Sequence, residues 1–247
     1  MRPDLSLSIP GPLAPYLPAG LLLADGAEGP ARVQGEFKRL LLVQRLHPGQ
    51  KVPLDEIAAN LGLSRTPVRE AMRLLETEGL VRSSRNRGFL VRRLSTEDTS
   101  HLFEARLCLE AQAAVKAAKG ADASFLRRLR AIEKTYAEAL SGSPHGRRLG
   151  MLADKAFHLC IAAEAGNPFI VELLANIFDR LLFTRPLEGF PLVRMPQALA
   201  EHASILGALQ QRDARRVREA MVENIKRGGA AIVAYLRESE ASGIALQ

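Results

Sequence analysis

The sequence predicts a mainly α protein in two parts: a small N-terminal domain of three helices with two short strands, and a C-terminal all-α bundle of about six helices. Three observations predict it. First, the 247-residue chain has a net charge of +7, and the whole excess sits in one segment. Residues 1–30 hold one Lys or Arg against three Asp or Glu, residues 31–95 thirteen against six, and residues 96–247 twenty against eighteen. Second, helical and strand-like apolar periods alternate inside that basic segment, while beyond Ser95 the period is helical nearly to the end. Third, at 47% hydrophobic residues the chain can fill two modest cores.

Residues 1–30 carry Pro3, Pro10, Pro12, Pro15, Pro18 and Pro30 among several glycines, without a period. This composition predicts a flexible extension outside the folded core. In the basic segment, Leu40, Leu41, Val43 and Leu46 suit a first helix, stopped by His47-Pro48-Gly49. A second helix, Leu54 to Leu61, has Asp55 and Glu56 in its first turn, where the helix dipole favours acids. Leu61-Gly62-Leu63-Ser64 makes a tight turn ending in an N-cap, and a third helix runs from Arg65 to Glu78 and stops at Gly79. Leu80-Val81 and Phe89-Leu90-Val91 read as strands on either side of a polar, basic loop. Helix, tight turn and helix at about residues 54–73, followed by a hairpin, make residues 31–95 a winged helix-turn-helix.

Breaks at Lys119-Gly120, Ser141–Pro144, Gly166-Asn167-Pro168, Thr184–Pro191 and Gln211–Asp213 divide residues 96–236 into about six helices, with 237–247 as a tail. Ser95, three residues before Asp98, is a capping start. Cys108 and Cys160 both fall in apolar helical patterns and read as buried thiols of a protein in a reducing compartment. No apolar run reaches the length of a membrane span, and the N-terminus lacks the order of a signal peptide. The expected location is the cytoplasm, with no membrane partner.

The third helix has two faces. Val68, Met72 and Leu75, with Ala71 and Leu74 beside them, form an apolar stripe, and Pro67 is tolerated because first-turn amides have no intrahelical partner. Arg65, Arg69 and Arg73 recur at i, i+4 and i+8 on another face. A guanidinium there can read a guanine edge with two hydrogen bonds or grip a phosphate. The same arginines could instead form solvated ion pairs with Glu70, Glu76 and Glu78. The following loop tips the balance: Arg82, Arg85, Arg87, Arg92 and Arg93 meet no acid until Glu97. A basic hairpin beside a basic helix is a wing that can reach phosphates or the minor groove.

The second half offers one chemical constellation. Asp154 and His158 are spaced i, i+4 and share a helix face, and His202 lies on a later helix. A carboxylate and imidazoles from facing helices can hold a divalent metal, although two histidines and one aspartate in a long domain also arise by chance. The competing class is a helical metal-dependent enzyme using Asp154, His158 and His202. It would need an open coordination position and a nearby base, and no HExxH, Gly-x-Ser-x-Gly or phosphate loop is present. That class also leaves the basic segment unexplained, so no catalysis is expected.

Leu63-Ser64-Arg65-Thr66-Pro67-Val68-Arg69-Glu70-Ala71, followed by Leu74, Leu75, Glu78-Gly79-Leu80-Val81 and Asn86-Arg87-Gly88, resembles the GntR family of bacterial regulators over residues 33–93. The resemblance implies that Arg65, Thr66 and Arg69 touch operator bases and phosphates and that Arg87 and Gly88 lie at the wing tip. Ser64 and Arg73 complete the expected DNA-binding set. One departure stands out: the family often has a DNA-touching arginine where this chain has Asp55.

Leu152–His158, Ala165–Pro168 and Ala200–Leu206 resemble the FadR-type C-terminal domain, called FCD, over about residues 97–235. Many such domains bind Zn²⁺ or another divalent ion through one aspartate and three histidines. Three of those ligands match Asp154, His158 and His202. The fourth does not, because the family pattern A-M-x-E-H reads here Ala220-Met221-Val222-Glu223-Asn224. Asn224 would weaken the metal, or hydrogen-bond an effector in a metal-free site. Arg106 matches an arginine that faces the family's cavity; the other reading is an ion pair with Glu104 or Glu110. The resemblance therefore implies a homodimeric transcription regulator, read as a repressor. Its binding to double-stranded operator DNA would be controlled by a small carboxylate or sugar acid held by Arg106 and Asn224, with a divalent metal on Asp154, His158 and His202.

Overall fold

The computed structural model describes residues 9–17, 21, 28–141, 143–184 and 194–241. Of these, the residues within Leu17–Leu94 and Asp179–Leu187 belong to one unit, and those within Pro10–Tyr16, Ser95–Phe178 and Glu188–Gln247 to another. Several predicted features lie outside the described residues: residues 1–8, 18–20 and 22–27 of the extension, residues 185–191 of one predicted break, and residues 242–247 of the tail.

The first unit contains α1 (Gly29–Leu42), α2 (Leu54–Leu61), α3 (Arg65–Thr77), β1 (Val81–Ser84) and β2 (Gly88–Val91). The centre of the α3 stripe goes inward as its spacing requires: Val68, Ala71, Met72 and Leu75 are each 0% exposed, and the helix packs on α1 and α2, which bury Val33, Phe37 and Ile57, whereas Leu74 at the stripe's edge is 49% exposed. Gly62 closes α2 in the left-handed region at φ 66°, a backbone that only glycine adopts cheaply. That sharp turn lets α3 start three residues later and cross α2. Ser64 occupies the N-cap position of α3, but its side chain makes no capping hydrogen bond.

The hairpin pairs Val81 with Val91 through to Ser84 with Gly88, leaving Arg85, Asn86 and Arg87 as its tip. The strands differ by a few residues from those predicted, because the polar Ser83 and Ser84 join the ladder without an apolar period. The segment before α2 completes the sheet: Val52 donates its amide to the Phe89 carbonyl at 2.9 Å, and Val91 to the Gln50 carbonyl at 2.8 Å.

Six helices follow: α4 (Thr96–Gly120), α5 (Ala123–Glu138), α6 (Pro144–Glu164), α7 (Pro168–Phe183), α8 (Arg194–Gln210) and α9 (Ala214–Ala241). The start of α4 is capped as the sequence suggests, and α5 and α6 carry caps not anticipated from the sequence. The Ser95 hydroxyl accepts the Asp98 amide at 2.9 Å, and the Asp98 carboxylate accepts the Ser95 amide at 3.2 Å. Asp122 caps α5 through the Phe125 amide, and Ser143 caps α6 through the Gly146 amide. In the second unit α4 lies along α9, α5 on α6, and α8 on α9. The core there includes Ala113, Leu159, Ala162, Leu174 and Phe178, with Phe125, Ile132, Phe157, Ile205 and Met221 deeply buried. Helix α9 continues to Ala241, past the predicted start of the tail at 237, because Ser239 still faces the interior. Among the described residues, no helix is long and apolar enough to cross a membrane.

Two sequence expectations change. Part of the extension is folded: Gly11–Tyr16 forms a 3₁₀ helix against α5 and α6, and Leu13 is 0% exposed. Tyr16 lies beside the Cys160 thiol, and burial pushes both groups above their ordinary pKa. The prolines that suggested disorder restrict the unfolded chain and so lower the entropy lost on docking. Cys160 is buried as expected, but Cys108 is exposed, being two residues from Arg106 and so on the other side of α4. Leu13→Ala should cost about 2–5 kcal/mol, read as a lower urea midpoint. An unchanged midpoint would remove the segment from the core.

Candidate functional site

Turning the apolar stripe of α3 inward sends its other face to solvent. Ser64, Arg65, Thr66, Arg69 and Arg73 are all exposed, as are Arg87 and Gly88 at the hairpin tip. The ion pairs along α3 that the sequence also allowed are not formed. Glu76 instead accepts the Ser83 amide at 2.6 Å, which ties β1 to α3 and lowers the Glu76 pKa, and Glu78 pairs with Lys38 at 2.7 Å. Arg65 has a partner across the turn: its Nε lies 2.8 Å from Oδ1 of Asp55 on α2, with both side chains more than 70% exposed. Asp55, Arg65, Arg69, Asn86, Arg87 and Phe89 are among the residues lining a groove of about 530 Å³ between α2, α3 and the hairpin. Lys51, Arg65, Arg69 and Arg87 give it a basic lining that would attract an acidic polymer.

In the second unit, Asp154 and His158 project one turn apart from α6, and His202 reaches them from α8. One donor atom of each lies within 4.8 Å of the others. Two donors on opposite sides of one ion lie ~4 Å apart, so the trio is close to a coordination set. Both imidazoles are almost fully buried, and each has its Nδ1 against a carboxylate from a neighbouring helix. Glu110 of α4 pairs with His158 and also accepts Arg106 Nε at 2.6 Å. Glu133 of α5 lies 2.8 Å from His202 Nδ1. A carboxylate at Nδ1 fixes the ring and leaves Nε2 for another partner, as in metal-bound histidines. The Nε2 of His202 has no hydrogen-bond partner and points to Asp154 Oδ1 at 3.5 Å. This chemistry fits a divalent cation.

Burial alone would raise the carboxyls of Glu110 and Asp154. Arg106 and His158 hold Glu110 below its ordinary value, and His202, His158 and Arg106 do the same for Asp154. Burial opposes charge on His202 as well, but Asp154 and Glu133 lift its pKa to about 9. Phe157 stacks on the same ring at 4.0 Å.

The two predicted effector contacts have protein partners. Arg106 makes the ion pair with Glu110 and lies over the rings of Phe103 and Phe178, 5.0 and 4.3 Å from their centroids. Asn224 of α9 donates from Nδ2 to Glu201 at 2.8 Å, and Arg194 grips the same carboxylate at 2.6 Å and 3.1 Å. Sequence reasoning missed Glu133, Arg194 and Glu201. It saw Glu110 only as a partner for Arg106. The i, i+4 spacing exposed that pairing, but no local pattern links α5 to His202.

Comparisons with known proteins place both halves of the chain in known families. A family model described as the FCD domain matches residues 101–227, and one described as bacterial regulatory proteins, gntR family, matches residues 31–91. The Uxu operon transcriptional regulator of Escherichia coli (strain K12) is 30% identical over 234 residues, covering 82% of this chain and 88% of that protein. The Glc operon transcriptional activator of the same strain is 28% identical over 205 residues, covering 73% and 79%. The solved structure of E. coli McbR/YncC is similar with a TM-score of 0.73 at 20% identity, covering 87% of this chain and 100% of that one, a likeness of fold.

The His202 cluster gives an alkaline signature in chelator-treated protein. A histidine whose pKa rises from 6.5 to about 9 on folding contributes stability that is fully present below about pH 6.5 and is lost as pH climbs through about 9. Glu133→Gln removes one of its two carboxylate partners, so the alkaline loss should become smaller. Thermal midpoints across that range check this, and identical profiles in the two proteins would contradict the pairing.

Proposed function

The chain belongs to the GntR family of bacterial regulatory proteins, with an FCD domain behind its DNA-binding module, and from that premise we propose that it is a homodimeric operator-binding regulator controlled by a small organic acid at the Asp154–His158–His202 cluster. The family and its relatives are transcriptional regulators, not enzymes, so the metal-enzyme alternative falls.

The observation that carries the reading is the outward row of Arg65, Arg69 and Arg73 beside the exposed tip at Arg87 and Gly88. An α-helix fits the major groove, where a guanidinium can pair with guanine O6 and N7. Ser64 and Thr66, at the start of α3, offer hydroxyls to phosphates. The hairpin brings Arg87 to the backbone or minor groove, and Gly88, lacking a side chain, lets the main chain approach closely. Two copies of α3 about one DNA turn apart would read a near-palindromic operator.

In the second unit, the Asp154 carboxylate and the two imidazoles would hold a divalent ion such as Zn²⁺, whose positive charge would favour a carboxylate or hydroxy acid ligand. Arg106 is bonded to Glu110 through Nε, which leaves its terminal nitrogens for a ligand carboxylate. Asn224 acts through Glu201, fixing α8 against α9 beside His202. The effector changes operator affinity by its differential affinity for two states of the dimer. Repression or activation then depends on where the operator lies against the promoter; the Glc relative is an activator.

Arg65→Ala and Arg69→Ala should each cost about 1–3 kcal/mol of affinity for an operator selected from a random library, read by fluorescence anisotropy. If both variants keep wild-type affinity and base preference, α3 is not the reading helix. His158→Ala should abolish the rise in thermal midpoint that Zn²⁺ gives the wild type, while ligand-free DNA binding stays nearly intact. An equal rise in both proteins would place the metal elsewhere.

A further inference from the structure

We propose that Asp55 is a positioning and specificity-determining residue of the DNA interface: it holds Arg65 by the Nε edge, so that the two terminal nitrogens of the guanidinium face a base pair. This rests on the reading of α3 as the recognition helix and goes beyond it.

Asp55 sits in the first turn of α2, and its carboxylate is 2.8 Å from Arg65 Nε. Both side chains are largely exposed, at 72% and 78%, so solvent screens the pair and it contributes little to folding. Yet both residues line the groove between α2, α3 and the hairpin, in company with Lys51, Arg69 and Arg87. A surface selected only to attract phosphates would have no carboxylate there, because an acid in the groove weakens binding to every DNA sequence alike. What the acid can supply is orientation. A guanidinium is a rigid planar fork of five N–H donors. With Nε held by Asp55, the remaining Nη pair still matches guanine O6 and N7. A free arginine at the start of a helix can swing to a phosphate, which carries no sequence information. Asp55 and its neighbour Glu56 also repel phosphates locally, which disfavours that alternative. The device trades general affinity for discrimination.

The test uses the full-length chain and its library-selected operator. Asp55→Asn and Asp55→Ala are made alone and on an Arg65→Ala background. Both sites are exposed, and thermal midpoints confirm folding. The reporting base pair is the one at which Arg65→Ala loses preference. Asp55→Asn is expected to lower discrimination at that base pair roughly tenfold, while affinity for non-operator DNA holds or rises. On the Arg65→Ala background it should change discrimination no further. If Asp55→Asn tightens all sequences by one factor and keeps the preference, Asp55 is only a surface charge and the proposal fails. If it loses preference even without Arg65, Asp55 reads a base itself, which also overturns the tether. If Arg65→Ala leaves every base preference intact, the recognition-helix reading falls first and this proposal with it.

Discussion

Burial of one side of α3 is the constraint from which its exposed arginine face follows. Val68, Ala71, Met72 and Leu75 are fully enclosed, and a helix that buries one stripe must present the opposite one. The sequence places Arg65, Arg69 and Arg73 on that side. Reversing the faces would put three guanidinium groups into an apolar core, which no available partner could offset. Gly62 and the hydrogen bond from the Ser83 amide to Glu76 set the two neighbours of this face, α2 and the hairpin. The residues that make this helix pack also fix what it shows to solvent.

The second unit answers the opposite problem, how to keep charge inside. His158, His202, Glu110 and Arg106 are all buried, and unpaired they would strongly destabilise the bundle. Each charge has an opposite neighbour: Arg106 with Glu110, Glu110 with His158, Glu133 and Asp154 with His202. The arrangement leaves one imidazole nitrogen on His202 unsatisfied beside a carboxylate. Buried polar atoms without partners are rare in native folds, and the proposed cation would satisfy this one.

Much of this was legible in the chain. The helix pair at 54–73 announced itself through Gly62, Pro67 and the spacing of Val68, Met72 and Leu75, and the six later helices through their breaks and the capping start at Ser95. Asp154, His158 and His202 are brought together as the sequence suggested. Contacts between segments distant in sequence were less legible. The docking of Leu13 is invisible in a proline-rich stretch because its partners lie on α5 and α6. Glu133 approaches His202 from 69 residues away and leaves no local pattern. Asp55 stood out as a departure from its family, but its partner became visible only once the turn at Gly62 set α2 beside α3. Cys108 followed an apolar period, yet lies on the exposed side of α4.

The central claim is that the arginine face of α3 enters the major groove of a two-fold site. Methylation interference at guanine N7 tests it most directly, because that atom lies on the major-groove floor. Binding of the full-length protein should be blocked by methylated guanines in two clusters about one helical turn apart. Binding that is indifferent to N7 methylation throughout the protected site would contradict the account.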